Sequence, residues 1–194
     1  SFSLKKLRFQ NFFKMKKILF LIYITILACN SKSKQLPLEV NEVKSTSGEI
    51  ILLGEINLAN LQTSSVTPWF NDEFDRVNIN INKAKDLKPF TKGLKILVFM
   101  GTWCDDSHRE LPPFFKMLLA MNFDQKHLKI FAMSEEKSTP SNFEQGLEIN
   151  NIPTIIFFKN GKEINRFVEF PVETLESDIQ KIISGAPYIN SYAL

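Results

Sequence analysis

The sequence predicts an α/β fold in which strands and helices alternate before a closing hairpin and a last helix. Three observations predict it. "KILVFM", residues 95–100, is a continuous apolar run of strand length with a helical segment behind it. Asn160-Gly161 separates two β-rich runs and is the strongest short hairpin signal. Leu175, Ile179, Ile182 and Ile183 share one face of a final helix that Gly185 follows. At 194 residues with 44% hydrophobic content, the chain is long enough to bury one ordinary core.

In chain order, "EIILLGEI", residues 49–56, reads as a strand, and "NLANLQ" after it as one or two helical turns with Asn57 as N-cap. "TPWFNDEFD", residues 67–75, fits neither period. From Ile79 to Phe90 the mixed apolar spacing favours a helix that Gly93 ends. The buried strand at 95–100 leads into a helix from Cys104 to Met121. Pro112 and Pro113 predict a kink in it, because a mid-helix proline loses a backbone donor and clashes one turn back. Phe114, Phe115, Leu118 and Leu119 follow helical spacing and are core candidates. "HLKIFAM", residues 127–133, is the next strand, and a short helix is expected around Ser141 to Leu147. "PTIIFFK" (153–159) and "KEINRFVEF" (162–170) are the hairpin arms, and the last helix runs from Val172 to Ile183.

The N-terminal part belongs to no packed element. "MKKILFLIYITILAC" has the three parts of an export signal: Lys16 and Lys17, an apolar run from Ile18 to Leu27, and Ala28 before Cys29. That run is too short for a spanning helix, which needs about 20 apolar residues. Residues 1–14 read as lying upstream of the natural start. "ILAC" resembles the lipobox of bacterial lipoproteins, which implies that Cys29 is lipidated and anchors the chain to a membrane. The expected division is an upstream segment and signal peptide (1–28), a lipidated cysteine and flexible tether (29–48), an N-terminal extension of the fold (49–92), a core (93–186) and a tail (187–194).

Processing of the signal changes the charge. Residues 1–28 hold six basic and no acidic residues, so removing them takes the net charge from +3 to −3. Nothing in the rest forms a basic, aromatic stripe, and nucleic acid is not an expected partner. With Cys29 lipidated, Cys104 is the single free thiol and no internal disulfide can form.

"WCDDS" after the buried strand, Pro112 eight residues beyond Cys104, "IPT" at 152–154 and "FFKNGKEI" at 157–164 occur in an order that resembles the thioredoxin family. The resemblance implies a thioredoxin-like three-layer sandwich with a central mixed β-sheet flanked by helices. It also implies that Cys104 is the nucleophile at a helix start, that Trp103 covers it, and that Pro153 follows a cis bond and faces the thiol. The backbone of Ile152 and Thr154 would then pair with an extended substrate. Helix N-termini favour a thiolate through unpaired N–H groups and the dipole.

Departures from the family pattern shape the functional expectation. Ser107 replaces the second cysteine that resolves a mixed disulfide, so a second thiol must come from elsewhere. Val98 stands where thioredoxins often carry an acid. Asp105 and Asp106 suit the helix dipole yet repel a neighbouring thiolate, and the two effects oppose each other on Cys104. Ser107 is a candidate donor to the thiolate, and Asp105-Arg109 a candidate ion pair. His108 reads as an exposed helix residue in preference to a base for Cys104. With two histidines and no cysteine near Cys104, no metal site is expected, and no cofactor is implied.

The function expected is monothiol thiol–disulfide exchange on the periplasmic side of a bacterial membrane. Asn30 gives no inner-membrane retention acid of the enterobacterial type, which points to the outer membrane. Envelope protein thiols or disulfides would be the partners, with a membrane reductase supplying electrons. The rival expectation is a binding or chaperone-like module that keeps the fold without redox work.

Overall fold

The computed structural model describes residues 35–193; the signal segment and Cys29 lie outside the described residues. Six strands form one mixed sheet: β1 (Asn41–Lys44), β2 (Ile50–Ile56), β3 (Leu94–Met100), β4 (Leu128–Ala132), β5 (Thr154–Lys159) and β6 (Lys162–Val168). Their spatial order is β1-β2-β4-β3-β5-β6. Helices α1 (Leu58–Thr63), α2 (Trp69–Arg76), α3 (Ile81–Asp86), α4 (Asp105–Ala120) and α5 (Leu175–Ser184) accompany it. β3 and β4 run parallel, so a crossover must join them, and α4 is that crossover. Every other neighbouring pair is antiparallel.

The two-residue period of the strands sorts side chains onto two faces. Ile96, Val98 and Met100 of β3, Ile130 of β4 and Phe157 of β5 enter the larger core, to which α1 through α5 all contribute. Leu97, Phe99, Phe131 and Ile156 point to the opposite face, into a smaller cluster that contains Cys104. The mixed sheet and its helices give the expected thioredoxin-like α/β fold. Pro112 and Pro113 both sit inside α4, which continues as one helix through them. Phe114, Phe115 and Leu118 are buried beneath it, while Leu119 is exposed.

Several expectations change. Residues 41–44, read as tether, pair with β2 as an edge strand. Just before them, the Leu36 carbonyl accepts from Asn57 Nδ2 at 2.7 Å and the Leu38 carbonyl from Asn60 Nδ2 at 2.8 Å. Asn57 and Asn60 also cap α1 reciprocally, so two buried amides serve both jobs. Residues 67–75, which fit no period, hold α2. Its Phe70 is buried against Phe115, with ring centroids 6.0 Å apart. Lys116 Nζ donates to the Phe74 and Val77 carbonyls at the end of α2, at 2.8 and 2.7 Å. The helix expected over Ile79–Phe90 is shorter, because Pro89 turns Lys88–Thr91 into a 3-10 segment.

No helix forms over Ser141–Leu147. That segment is a chain of turns with positive φ at Asn142 and Gly146, and at Glu148 just after it. Thr139 organises it: its hydroxyl accepts from Phe143 N–H at 2.9 Å and donates to Glu144 at 2.5 Å. These turns and the residues up to Ile152 close the smaller face, with Phe143 stacked on Phe131 at 4.5 Å. The last helix begins at Leu175, three residues later than expected. Buried Asp178 reaches back to accept from Val172 N–H at 2.7 Å and Glu173 N–H at 3.3 Å, which holds both outside the helix.

Phe70 ties a segment invisible to periodicity into the main core. Phe70→Ala is expected to cost ~3–5 kcal/mol, the range for truncating a fully buried aromatic. Urea unfolding followed by circular dichroism checks it, and an unchanged midpoint would show that α2 is not part of the cooperative core.

Candidate active site

The site forms where β3 ends. A tight turn, Gly101 to Cys104, joins β3 to α4, and every residue in it is held by another element. Gly101 N–H donates to Ser107 Oγ at 3.3 Å, and the Gly101 carbonyl accepts from Cys104 N–H at 3.2 Å. Thr102 Oγ1 accepts from Leu52 N–H of β2 at 3.1 Å. Trp103 Nε1 donates to the Met133 carbonyl at 3.0 Å. A methyl group on Gly101 would lie 2.7 Å from Trp103 Cε2 and 3.0 Å from Ile152 Cδ1, so the position admits glycine alone without rearrangement.

Cys104 is the N-cap of α4 and not its first helical residue; its backbone is extended, and no side chain caps the helix. The first N–H groups of α4 therefore have no side-chain cap beside the sulfur. Cys104 is a buried free thiol whose Sγ donates to the Ile152 carbonyl at 3.5 Å. The Ile152-Pro153 bond is cis. The Pro153 carbonyl accepts from Glu169 N–H at 2.8 Å, and Thr154 Oγ1 donates to the Asn151 carbonyl at 2.6 Å. Trp103, Cys104, Ile152 and Pro153 thus meet in one place, whereas Thr154 is buried in β5.

Ser107 differs from its expected place. It is fully buried, and its oxygen accepts from Gly101 N–H with no hydrogen bond to Cys104 among the described residues. Its role in the structure is to hold the turn that presents the thiol. His108 is neither exposed nor aimed at the sulfur. Its ring stacks on Trp69 at 3.8 Å, and its Nε2 donates to the Thr102 carbonyl at 2.8 Å. The bond to a carbonyl places the proton on Nε2. Arg109 pairs with Asp106 at 2.7 Å and with Glu110 at 2.6 Å, in place of Asp105. No group of residues that could hold a metal occurs among the described residues. Sequence reasoning missed Trp69: it lay in the stretch that fitted no period, and only the docking of α2 on α4 brings it to His108.

Comparison with known proteins places the chain. A family profile described as Thioredoxin matches residues 70–180. A thioredoxin-like protein of Acanthamoeba polyphaga mimivirus is 33% identical over 91 residues, 46% of this chain and 62% of that protein. The chain thus spans about three fifths of that relative's length. A thioredoxin of Arabidopsis thaliana is 27% identical over 124 residues, 60% of this chain and 84% of its own. The crystal structure of Malassezia sympodialis thioredoxin is 24% identical, covering 51% of this chain and 81% of its own, with a TM-score of 0.34.

One carboxyl of α4 gives the site's helix a pH signature. Burial pushes the Glu110 carboxyl above its ordinary value of 4.5, against the opposing pull of Arg109. The folded chain therefore keeps this proton to a higher pH than the unfolded chain does. Across that window the native state binds more protons, so Glu110's contribution to stability falls as pH rises through it. Glu110→Gln is expected to flatten that part of the pH dependence. Urea midpoints measured at intervals from pH 4 to pH 8 check it, and identical slopes for both proteins would remove Glu110 as the cause.

Proposed function

The chain belongs to the thioredoxin family, and from that premise we propose that it exchanges disulfides as a monothiol in a bacterial cell envelope, with Cys104 as the nucleophile. The observation that carries the reading is the place of the sulfur: at the N-cap of α4, 3.5 Å from the Ile152 carbonyl, directly before cis Pro153.

The exchange runs as follows. The Cys104 thiolate, its proton given to solvent, attacks one sulfur of a substrate disulfide. A Cys104–substrate disulfide forms, the substrate's own S–S bond breaks, and its second sulfur leaves as a thiolate. Ser107 cannot supply the second attack. An external thiol, from an envelope protein or a membrane reductase, then attacks the substrate sulfur, forms a disulfide with it and releases Cys104 as a thiolate, which ends the cycle. Trp103 and Pro153 frame the sulfur, and the backbone at Ile152 is the place for an extended substrate segment. Burial of the sulfur and the missing second thiol favour the rival reading, a non-redox binding module.

Cys104→Ser is expected to abolish mixed disulfides with cellular proteins, seen as shifted bands on a non-reducing gel. Bands that persist in the variant, or none in the wild type, would support the binding module.

The sequence supports an anchor as well. Cys29, after "ITILA", is the lipidated residue, and the protein sits on the periplasmic side, with the outer membrane preferred. Labelled palmitate is expected to enter the wild-type chain in cells and to be lost in Cys29→Ala; equal labelling of the two would sink the lipid anchor.

A further inference from the structure

We propose that a groove beside Trp103 receives a basic side chain, lysine or arginine, from the protein segment whose disulfide Cys104 attacks. The inference rests on Cys104 as the reacting thiol and adds the class of substrate.

The groove is a cavity of about 580 Å³ between the N-terminal extension and the start of α4. Trp103 and Asp105, the residues on either side of Cys104 in the chain, both line it, while Cys104 itself is buried and faces the Ile152 carbonyl. Thr102 and His108 line it too, and the rest of its walls come from outside the family core, among them Glu42 of β1, Glu49 before β2, Ile50, and Trp69 of α2. Three of its lining residues are carboxylates, and neither lysine nor arginine is among them.

Charge pairing distinguishes these acids from their neighbours. Asp106 and Glu110, on the same helix as Asp105, both pair with Arg109. Glu42, Glu49 and Asp105 take part in no ion pair among the described residues. The two indoles add a second reason for a cation. Trp69 is fixed by its stack on His108, and Trp103 by its bond to Met133, so both are held before any ligand arrives. A cation over a tryptophan face is attracted by the ring quadrupole. A lysine or arginine stem can lie along Ile50 and the indoles while its head meets the carboxylates. An acidic or purely apolar segment would leave the three charges opposed or buried without a partner.

The groove contains both tryptophans of the chain, so intrinsic fluorescence reports on it directly. The test uses the full chain and three short peptides, each with one cysteine activated as a thionitrobenzoate disulfide and flanked by arginine, alanine or glutamate. Cys104 displaces thionitrobenzoate, which leaves as the coloured thiolate while the Cys104–peptide disulfide forms. The rate lost in Cys104→Ser is the rate owed to Cys104. At low ionic strength the arginine peptide is expected to react about tenfold faster than the glutamate peptide, as complementary exposed charges permit. That ratio should fall toward one in the Glu42→Gln/Glu49→Gln variant. Equal rates for the three peptides, or a ratio untouched by the double substitution, would overturn the groove and leave the thiol reading intact. Should no peptide react with Cys104, the thiol reading fails alone. The groove is then decided by tryptophan fluorescence with serine-containing peptides: a saturable change with the arginine peptide only sustains it, and no change or an equal change with all three overturns it.

Discussion

The indole of Trp103 lies over the bare α-carbon of Gly101, close enough that no other residue type fits beneath it. That contact fixes the path of the four residues between β3 and α4, and the site depends on that path. Gly101 is bonded at both ends, to Ser107 Oγ through its N–H and to Cys104 N–H through its carbonyl. Thr102 joins the turn to β2 through its hydroxyl and to His108 through its carbonyl. The sulfur is therefore placed by backbone and packing constraints from β2, α4 and the segments around Met133 and Ile152, and not by a side chain of its own reach. Such over-determination holds a reactive group in one geometry without a ligand to organise it.

The two faces of the sheet divide the work. The larger core, with helices packed on it, supplies most of the buried apolar surface and so most of the stability. The smaller face, closed by turns, carries Cys104 among Phe99, Phe131, Met133, Ile149, Ile152 and Ile156. Parallel β3 and β4 end together beneath the site, where Met133 N–H bonds to the Met100 carbonyl at 2.8 Å. Their carboxyl ends leave a crevice, the usual place for a site in a sheet of this kind. The N-terminal extension then builds the wall of a groove next to the turn before α4: Glu42 of β1 and Glu49 before β2 bring carboxylates, and α2 brings Trp69 against His108.

The core strands, the hairpin and the helix that follows Cys104 were legible because their signals are local: a continuous apolar run, Asn160-Gly161, a single helical stripe. The proline after Ile152 and the tryptophan before Cys104 were legible through the family pattern. What escaped depends on distant partners. Residues 41–44 carry no apolar alternation and form a strand only because β2 offers an open edge. α2 is completed by Lys116, which caps its last carbonyls from forty positions away. The helix expected over 141–147 lost to Thr139, whose hydroxyl offers the backbone a competing set of bonds. Ser107 was expected as a donor to Cys104 and His108 as an exposed helix residue, but their partners, Gly101 and Thr102, lie on the preceding turn, which spacing alone does not show.

A monothiol site places a demand on binding that a dithiol site does not. With a resolving cysteine, the mixed disulfide is broken from within and the lifetime of the complex is short whatever the substrate. With Ser107 fully buried and committed to Gly101, the exchange proposed for Cys104 would leave a complex that persists until an outside thiol arrives. Noncovalent contacts then decide which disulfides are engaged, and the chemistry itself is indifferent to sequence. The extension supplies surface for such contacts: Trp69, Glu42 and Glu49 line a groove that Trp103 and Asp105 complete. On this reading, the serine at 107 and the groove are two halves of one arrangement, in which selection by contact takes the place of release by a second thiol.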